Sequence, residues 1–489
     1  MSVLEPLRSM LDQKQLSALE LTQYFLETIR RDNPALRALL YTAEETALEQ
    51  AKLADRRLAA REPLSPLAGI PMVLKDNIST RGLPTTCGSR MLEGYRPVYD
   101  AAVWEALGKQ GAVLLGKGNL DEFAMGSSTE TSCFGPSRNP WNPSLSPGGS
   151  SGGPAAAVAG GLAVCALGSD TGGSIRQPAA FCGITGLKPT YGAVSRWGLI
   201  AYASSLDQIG PMALCAKDAA LLLDTITGPD SRDDTHRGLA PVSGSLEEPI
   251  RGQKAAIPRE MLEGASPAAI GAVEDTLRRL EALGVSVEEI SLPALQLAAP
   301  AYYIVACAEA SSNLARYDGI RYGHRSQKPA ASFQEAVGNS RREGFGPEVR
   351  RRILMGAWVL SAGHREQYYQ QAQKARQAVK ASLLEALSRF DFLLAPPFPA
   401  TELPLGQALK DPVALYQADL CTVPASLAGL PALSTPSAVW ENDHPTGVQL
   451  ISRPFADGLL LRVAHHLEQT GTRLPLPKPV AALLQKEVL

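Results

Sequence analysis

Residues 146–183 read SPGGSSGGPAAAVAGGLAVCALGSDTGGSIRQPAAFCG. The apolar run LAVCAL in the middle of this stretch is typical of a buried strand. The strand leads into the tight turn DTGGS, and Pro178 suits the start of a helix soon afterwards. A strand that passes through a short turn into a helix is the repeating unit of α/β proteins, so this stretch predicts the fold class.

The same alternation continues on both sides of that stretch. Helical stretches alternate from Leu67 onward with eight short apolar runs: GIPMVLKDN, GAVLLGK, LAVCALGSD, GQKAAIPRE, GVSVEEISL, FDFLLAPPFP, LPALSTPSAV and GVQLISRP. The pattern predicts one α/β domain over residues 61–489, with a largely parallel or mixed sheet. Helical spacing over residues 1–60 predicts a helical region that packs on this core, and residues about 296–390 are predicted to form a helical insert.

Charge and composition restrict the class of protein. The 489 residues carry 47 basic and 49 acidic side chains, which argues against a chain that itself wraps nucleic acid. The most apolar long run, residues 154–168, is shorter than the roughly 20 residues of a membrane span, and the N-terminus has no apolar signal segment. Seven scattered cysteines without a CxxC pair predict reduced thiols and no metal site, so we expect a cytoplasmic protein.

Glycine is concentrated in and just after the opening stretch. Residues 146–198 contain 13 of the 43 glycines in the chain. Because glycine loses more conformational freedom on folding than other residues, such a cluster indicates backbone that needs positive φ angles or a close approach to a ligand. We therefore expect the functional site here.

Two motifs have a familiar interpretation that the surrounding residues do not support. GAVLLGK, residues 111–117, matches part of a phosphate-binding loop, but Gly118 stands where Ser or Thr is needed and the intervening residues predict a strand. GGSSG, residues 148–152, matches the GxSxG turn of hydrolases, but a proline-rich loop precedes it instead of a strand. None of the six histidines lies in a glycine-framed or strand-end position, so a Ser-His-Asp triad is a weak interpretation.

A lysine can take the place of the missing histidine. Lys75 ends the apolar run GIPMVLKDN, where the edge of a sheet meets a cleft in α/β proteins. Burial at such a position lowers the pKa of a lysine toward neutrality and makes it a base. On Lys75 alone, a lysine that extends its charged end into solvent is the favoured interpretation.

The turn DTGGS has the features of a turn that positions a nucleophile. Its successive glycines allow backbone N–H groups to converge as an oxyanion hole, from Thr171, Gly172, Gly173 and Ser174. We predict that Ser174 is the nucleophile and that Ser150 and Lys75 relay its proton. Asp170 and Arg176 flank the turn and are predicted to brace it as an ion pair.

Together, Lys75, PGGSSGGPAAAVA and GSDTGGSIRQPAAFCGITGLKPTYG resemble the amidase signature family, with the lysine and both serine motifs in the family's order and spacing. The resemblance implies a Ser–cis-Ser–Lys triad, in which Ser174 is the nucleophile, Ser150 the proton relay and Lys75 the general base. It implies a cis peptide bond before Ser150. It also implies a central mixed β-sheet that is covered by helices on both sides.

Within that family, the chain is similar over nearly its whole length to the glutamine-hydrolysing subunits of tRNA-dependent amidotransferases. The similarity is carried by residues 119–141, 308–323, 350–363 and 427–439, and by Gln177, which follows the motif SIR. The resemblance implies that Arg352 binds the carboxylate of a free glutamine and Asp419 its ammonium group, while Tyr303 and Ser127 line the pocket. A planar guanidinium matches a carboxylate, although a run such as RRR is more often a solvated face.

The resemblance also implies the reaction and the partners. Glutamine would be hydrolysed on this chain, which would carry no cofactor of its own. The ammonia would pass to a tRNA- and ATP-binding B subunit that uses Mg²⁺, with a small C subunit completing a heterotrimer. Two alternatives stay open: a stand-alone amidase that uses the same triad on acyl or aryl amides, and a scaffold subunit without enzymatic activity.

Overall fold

A computed structural model describes residues 2–60, 62, 65–401, 403–407, 419–471 and 474–485. The strands are β1 Leu39–Thr42, β2 Pro71–Lys75, β3 Val113–Gly118, β4 Cys165–Asp170, β5 Thr185–Lys188, β6 Gln208–Ala213, β7 Lys254–Pro258, β8 Ser286–Ile290, β9 Phe392–Ala395, β10 Ala432–Glu441 and β11 His444–Ser452.

The helices in the described part of the chain are α1 Leu4–Asp12, α2 Ala18–Leu36, α3 Glu44–Ala59, α4 Ala102–Lys109, α5 Gly152–Ala159, α6 Arg176–Cys182, α7 Ala216–Ile226, α8 Pro267–Ala282, α9 Ala298–Asn313, α10 Phe333–Gly344, α11 Pro347–Leu360, α12 Gln370–Arg389, α13 Val423–Ala428, α14 Asp457–Thr470 and α15 Lys478–Leu484. Helices α9 to α12 follow one another between β8 and β9 without an intervening strand.

These strands form one mixed sheet in the order β1-β3-β2-β4-β6-β5-β10-β11-β9-β7-β8. The neighbours β3, β2 and β4 run parallel, and so do β9, β7 and β8 at the other side. The intervening strands from β4 to β9 pair antiparallel, as does the edge strand β1 with β3. The sheet therefore joins two parallel blocks through an antiparallel centre, which confirms the predicted mixed α/β fold.

Helices cover both faces of this sheet. Successive residues of one strand point to opposite faces of the sheet. The apolar cluster that each of two adjacent residues joins therefore shows which helices pack on its face. Leu394 belongs to the apolar cluster that includes α1, α2, α3, α5, α7 and α8, whereas its neighbour Leu393 belongs to the cluster that includes α9, α12 and α13. Leu433 and Ala432 of β10 divide between the two clusters in the same way.

All eight apolar runs contain a strand, and the fragment GAVLLGK is strand β3 and not a phosphate loop. Strands β1, β5 and β6 were not predicted. Strand β1 interrupts the region that was predicted as helical, and it adds a sheet edge by pairing with β3. Strand β6, QIGPMA, lies fully buried between β4 and β5, but its glycine and proline conceal the periodicity of a strand.

Three structural observations concern the features that were expected from composition. Among the described residues, no helix combines the length and the apolar composition that a membrane span requires. All seven cysteines are free thiols, of which Cys133 alone is exposed. The described residues also contain no group of three or more His, Cys, Asp or Glu side chains that could hold a metal ion.

Candidate active site

Lys75 is the last residue of β2, and Asp170 is the last residue of the parallel neighbour β4. Parallel strands end at the same edge of a sheet, so both residues open onto one crevice, the usual position of a ligand site in α/β proteins. The turn that carries Ser174 follows β4 directly. The order of strands therefore brings the lysine and the serine turn together.

The Lys75 side chain is completely buried, so it does not extend into solvent. Its Nζ donates to Ser150 Oγ at 2.7 Å, to Ser169 Oγ at 3.0 Å and to the Ser169 carbonyl at 3.2 Å. Burial lowers the pKa of Lys75 to about 7, against an opposing effect of carboxylates that include Asp121 and Asp170. A lysine with such a pKa is neutral in a large fraction of molecules near pH 7 and can accept a proton.

Ser150 lies in the glycine-rich loop that precedes α5. The peptide bond between Gly149 and Ser150 is cis, as the family resemblance implied. Ser150 is fully buried, and its neighbour Ser151 donates its backbone N–H to the Ser174 carbonyl at 3.0 Å. The two serine loops, which are 24 residues apart in the chain, thus lie side by side.

The turn between β4 and α6 is braced by a buried ion pair, as the sequence predicted. Arg176 and Asp170 are both fully buried and form two hydrogen bonds of 3.0 Å, from Nε and from Nη2. Burial acts to raise the pKa of Asp170, but the Arg176 guanidinium lowers it below its usual value. Arg176 also donates to the Thr422 carbonyl, Gln449 and Ser426, so the turn is tied to the strands and helices beyond it.

The oxyanion-hole candidates lie in this turn. Gly172 and Gly173 line the cleft beside Ser174. A Cβ atom at Gly172 would lie 2.6 Å from the Tyr302 hydroxyl, and Gly173 has a φ of 151°, so both positions require glycine. Thr171 does not line the cleft; its hydroxyl donates to Asp207 at 2.7 Å and fixes the start of the turn.

The cleft is narrow and polar. Its lining includes Gly149, Gly173, Ser174, Gln177, Arg352 and Asp419. The Gln177 side chain lies at its wall, and with its amide nitrogen turned toward the serine loop it donates to the carbonyls of Gly149 at 2.9 Å and Ser127 at 3.1 Å. Gln177 therefore connects the cis serine loop to the loop that carries Ser127.

Arg352 is the one arginine of the RRR run that is buried, since Arg350 and Arg351 are exposed. Helix α11 carries it into the cleft, with Nε donating to Glu348 at 2.7 Å and Nη1 to the Tyr202 hydroxyl at 2.6 Å. Burial acts to lower the pKa of Arg352, but the surrounding acidic and phenolic groups raise it above its ordinary value. The guanidinium is therefore a fixed positive charge in the wall.

Asp419 supplies the opposite charge in the same cleft. It accepts a hydrogen bond of 2.5 Å from the Tyr303 hydroxyl and one of 3.3 Å from Ser127 Oγ. Burial raises the pKa of Asp419 to about 6. Ser127 lines the cleft as predicted, whereas the lining tyrosine is Tyr302, and Tyr303 reaches the cleft through Asp419.

Sequence reasoning missed several residues that hold this site. Ser169 contacts Lys75, Asp207 contacts the turn, and Tyr202 and Glu348 contact Arg352. Glu348 precedes Arg352 by four residues, a spacing that forms ion pairs on helices and that offered a signal. Tyr202 offered none, because only the tertiary fold brings it to α11.

The chain has extensive similarity to known proteins. The family model described as Amidase matches residues 20–461. The A subunit of the glutamyl-tRNA(Gln) amidotransferase from Symbiobacterium thermophilum is 50% identical over 454 residues, which are 92% of this chain and 93% of that protein.

Two solved structures illustrate the likeness of the fold. The A subunit of the glutamyl-tRNA(Gln) amidotransferase from Thermotoga maritima aligns with a TM-score of 0.80 and 42% identity, over 98% of this chain and 97% of that one. The peptide amidase from Stenotrophomonas maltophilia aligns with a TM-score of 0.82 and 29% identity, over 98% of both chains. The match to the family model, the fold and the serine-lysine motifs agree, and the chain belongs to the amidase signature family.

Proposed function

We propose that this chain is the glutamine-hydrolysing subunit of a tRNA-dependent amidotransferase. One observation carries the proposal: the buried guanidinium of Arg352 and the partly buried carboxylate of Asp419 line the same narrow cleft as Ser174. Free glutamine has a carboxylate and an ammonium group on one carbon and an amide at the other end. A cleft with two opposite charges beside a serine fits such a molecule better than it fits a simple amide.

Binding would orient the amide toward the serine turn. The planar guanidinium of Arg352 forms paired hydrogen bonds to the α-carboxylate, and Asp419 accepts from the α-ammonium group. Both side chains are held by other protein groups, so little freedom is lost when glutamine binds. The side-chain amide of the bound glutamine then lies beside Ser174.

Acylation follows from the position of Lys75. Ser174 Oγ attacks the Cδ carbon of glutamine while its proton passes to Ser150, which gives its own proton to neutral Lys75. Backbone N–H groups of Gly172, Gly173 and Ser174, the residues of the turn that line the cleft, donate to the oxyanion of the tetrahedral intermediate. Lys75 then returns the proton through Ser150 to the leaving nitrogen, the C–N bond breaks, and ammonia departs.

Deacylation reverses the relay with water. A water molecule attacks the carbonyl carbon of the γ-glutamyl ester on Ser174 while one of its protons passes to Ser150, which gives its own proton to neutral Lys75. The intermediate collapses to glutamate, and the proton returns to Ser174 Oγ. The chain needs no cofactor for either half of this reaction.

The names of the relatives support a role for this chain within a larger enzyme. Each of them is named as the A subunit of a glutamyl-tRNA(Gln) amidotransferase, and an A subunit implies an enzyme with further subunits. By this proposal, a B subunit binds the aminoacyl-tRNA and uses ATP and Mg²⁺, and a small C subunit completes the heterotrimer in the cytoplasm. The acceptor is glutamyl-tRNA(Gln), aspartyl-tRNA(Asn) or both.

The proposal is tested by Ser174→Ala in the assembled enzyme. We expect glutamine-dependent amidation of the tRNA-linked amino acid to fall by at least about 10³-fold, since the nucleophile is removed. Amidation driven by added ammonium chloride should stay unchanged, because that reaction bypasses this chain. Equal loss of both activities, or survival of the glutamine-dependent one, would contradict the proposal.

A stand-alone amidase makes a different prediction in the same assay. The isolated chain would turn over simple acyl and aryl amides rapidly, and partner subunits would bring no gain. For the proposed subunit, we expect glutamine to be the preferred substrate and hydrolysis to increase in the assembled enzyme.

A further inference from the structure

The proposed relay uses one of the three hydrogen bonds that Lys75 makes. Besides the 2.7 Å contact to Ser150, Nζ lies 3.0 Å from Ser169 Oγ and 3.2 Å from the Ser169 carbonyl oxygen. Ser169 is the residue before Asp170 at the end of β4, and it is nearly completely buried. None of the steps described above requires its hydroxyl group.

A count of donors and lone pairs shows what Ser169 does for the lysine. A neutral amine has two N–H donors and one lone pair, whereas an ammonium has three N–H donors. The Ser169 carbonyl only accepts, so it takes one N–H. If Ser169 Oγ accepts the second N–H, the lone pair of the neutral amine is directed to Ser150.

The same arrangement also serves the protonated lysine. After the relay, the three N–H groups of the ammonium face three acceptors: Ser150 Oγ, Ser169 Oγ and the Ser169 carbonyl. No donor of this buried lysine is left unsatisfied, and an unpaired charged donor at a buried position would be costly. The lysine can therefore change its protonation state without moving.

Two neighbours hold Ser169 in place. Asn77, two residues after Lys75, donates from Nδ2 to Ser169 Oγ at 2.9 Å. Ser151 donates from Oγ to the Ser169 carbonyl at 3.1 Å, and the Ser169 backbone N–H donates to Ser151 Oγ at 3.3 Å. The acceptors for Lys75 are thus fixed from both the strand of the lysine and the loop of the relay serine.

We propose that Ser169, held by Asn77, is a positioning residue that directs the lone pair of Lys75 toward Ser150. The inference rests on the proposed role of Lys75 as the general base for glutamine hydrolysis. It assigns to Ser169 a hydroxyl that contacts neither substrate nor nucleophile but determines whether the base faces its relay.

The test is Ser169→Ala in the assembled enzyme. We expect kcat for glutamine hydrolysis to fall about 10- to 100-fold, because the neutral amine loses its fixed orientation. Loss of one acceptor destabilises the ammonium more than the amine, so the pKa of Lys75 falls further. The acid limb of the profile of kcat/KM against pH should therefore move to lower pH, and Ser169→Thr, which keeps the hydroxyl, should restore both quantities.

Two further variants make the result specific. Ser434→Ala removes another buried hydroxyl from strand β10, one without a hydrogen-bond partner among the described residues, and should leave kcat and the acid limb unchanged. Asn77→Ala leaves the Ser169 hydroxyl in place but removes its anchor. Asn77→Ala should reduce kcat and move the acid limb to lower pH, as Ser169→Ala should. If Ser169→Ala does not fold, the Asn77→Ala result alone tests whether Ser169 positions the base.

The outcomes separate this inference from the proposed function. If Ser169→Ala behaves like Ser434→Ala, or loses activity with an unmoved acid limb and no rescue by threonine, Ser169 does not position the base. Lys75→Met separates the role of Lys75 as the general base from the role of Ser169 as its positioning residue. A Lys75→Met enzyme with full activity would overturn the assignment of Lys75 as the base. An inactive Lys75→Met enzyme beside an unaffected Ser169→Ala enzyme would overturn the positioning role alone.

Discussion

The two halves of the cleft are built from different parts of the chain. The reactive half, with Lys75, Ser150 and Ser174, comes from strand ends and loops within one stretch of about 100 residues. In the half with the opposite charges, Ser127 and Asp419 form a hydrogen bond across 292 positions of the chain. The residues of a reactive centre can thus be recognised in local sequence motifs, whereas the pair of charges that binds the substrate depends on how distant elements fold together.

The halves also differ in their electrostatics. The atoms that contact Lys75 Nζ are neutral oxygens, and burial lowers the pKa of Lys75 to about 7 in spite of the more distant carboxylates, which makes the uncharged form available. Arg352 lies beside Glu348 and the Tyr202 hydroxyl, which keep it charged despite burial. One half of the cleft provides a base and the other provides fixed charge, and variants in each half should fail in different ways.

The largest difference is expected from Arg352→Ala. We expect kcat/KM for glutamine to fall about 10²-fold, mainly through KM, because the substrate carboxylate loses its charged hydrogen-bond donor. Hydrolysis of a small amide without a carboxylate should change little. Initial rates with both substrates measure the separation.

Arg350→Ala is the matched control for that experiment. Arg350 is exposed on the same helix, two residues before Arg352, and its loss should leave both substrates unaffected. A variant of Arg352 that lost both reactions equally would show that the two halves of the cleft are not separable.

A smaller effect concerns pH. Lys75 must be neutral to act as a base, so activity rises as pH increases through its pKa of about 7. Asp419 must be ionised to bind the ammonium group, so binding is lost as pH falls through its pKa of about 6. The logarithm of kcat/KM should therefore rise with a slope that approaches about two below pH 6 and about one between the two values.

Asp419→Asn sharpens this prediction. The variant should bind glutamine more weakly at neutral pH, but its acid limb should keep a slope of about one down to pH 5, where the wild type loses roughly another tenfold. Steady-state kinetics from pH 5 to 8 measure both profiles. If the slope of log kcat/KM below pH 6 were the same in Asp419→Asn as in the wild type, Asp419 would not be the group that binds the ammonium.

The contrast between the two halves also explains what the sequence could predict. Ser150, Ser174 and their glycines form contiguous motifs whose backbone requirements are visible in the residues themselves. Strand β6 was missed because its glycine and proline obscure the pattern, and Tyr202 was missed because a loop far away in sequence presents it to α11. Arg352 could be named only by family resemblance, since nothing in the run RRR distinguishes the buried arginine from its exposed neighbours.

The central claim is that one cleft joins a serine nucleophile to charges that recognise a free amino acid. The most direct test is covalent labelling of the assembled enzyme with an electrophilic glutamine analogue, followed by mass spectrometry of its peptides. We predict one adduct on Ser174, none in Ser174→Ala, and slower labelling in Arg352→Ala but not in Arg350→Ala. An adduct on another residue, or labelling of Arg352→Ala at the wild-type rate, would contradict the account.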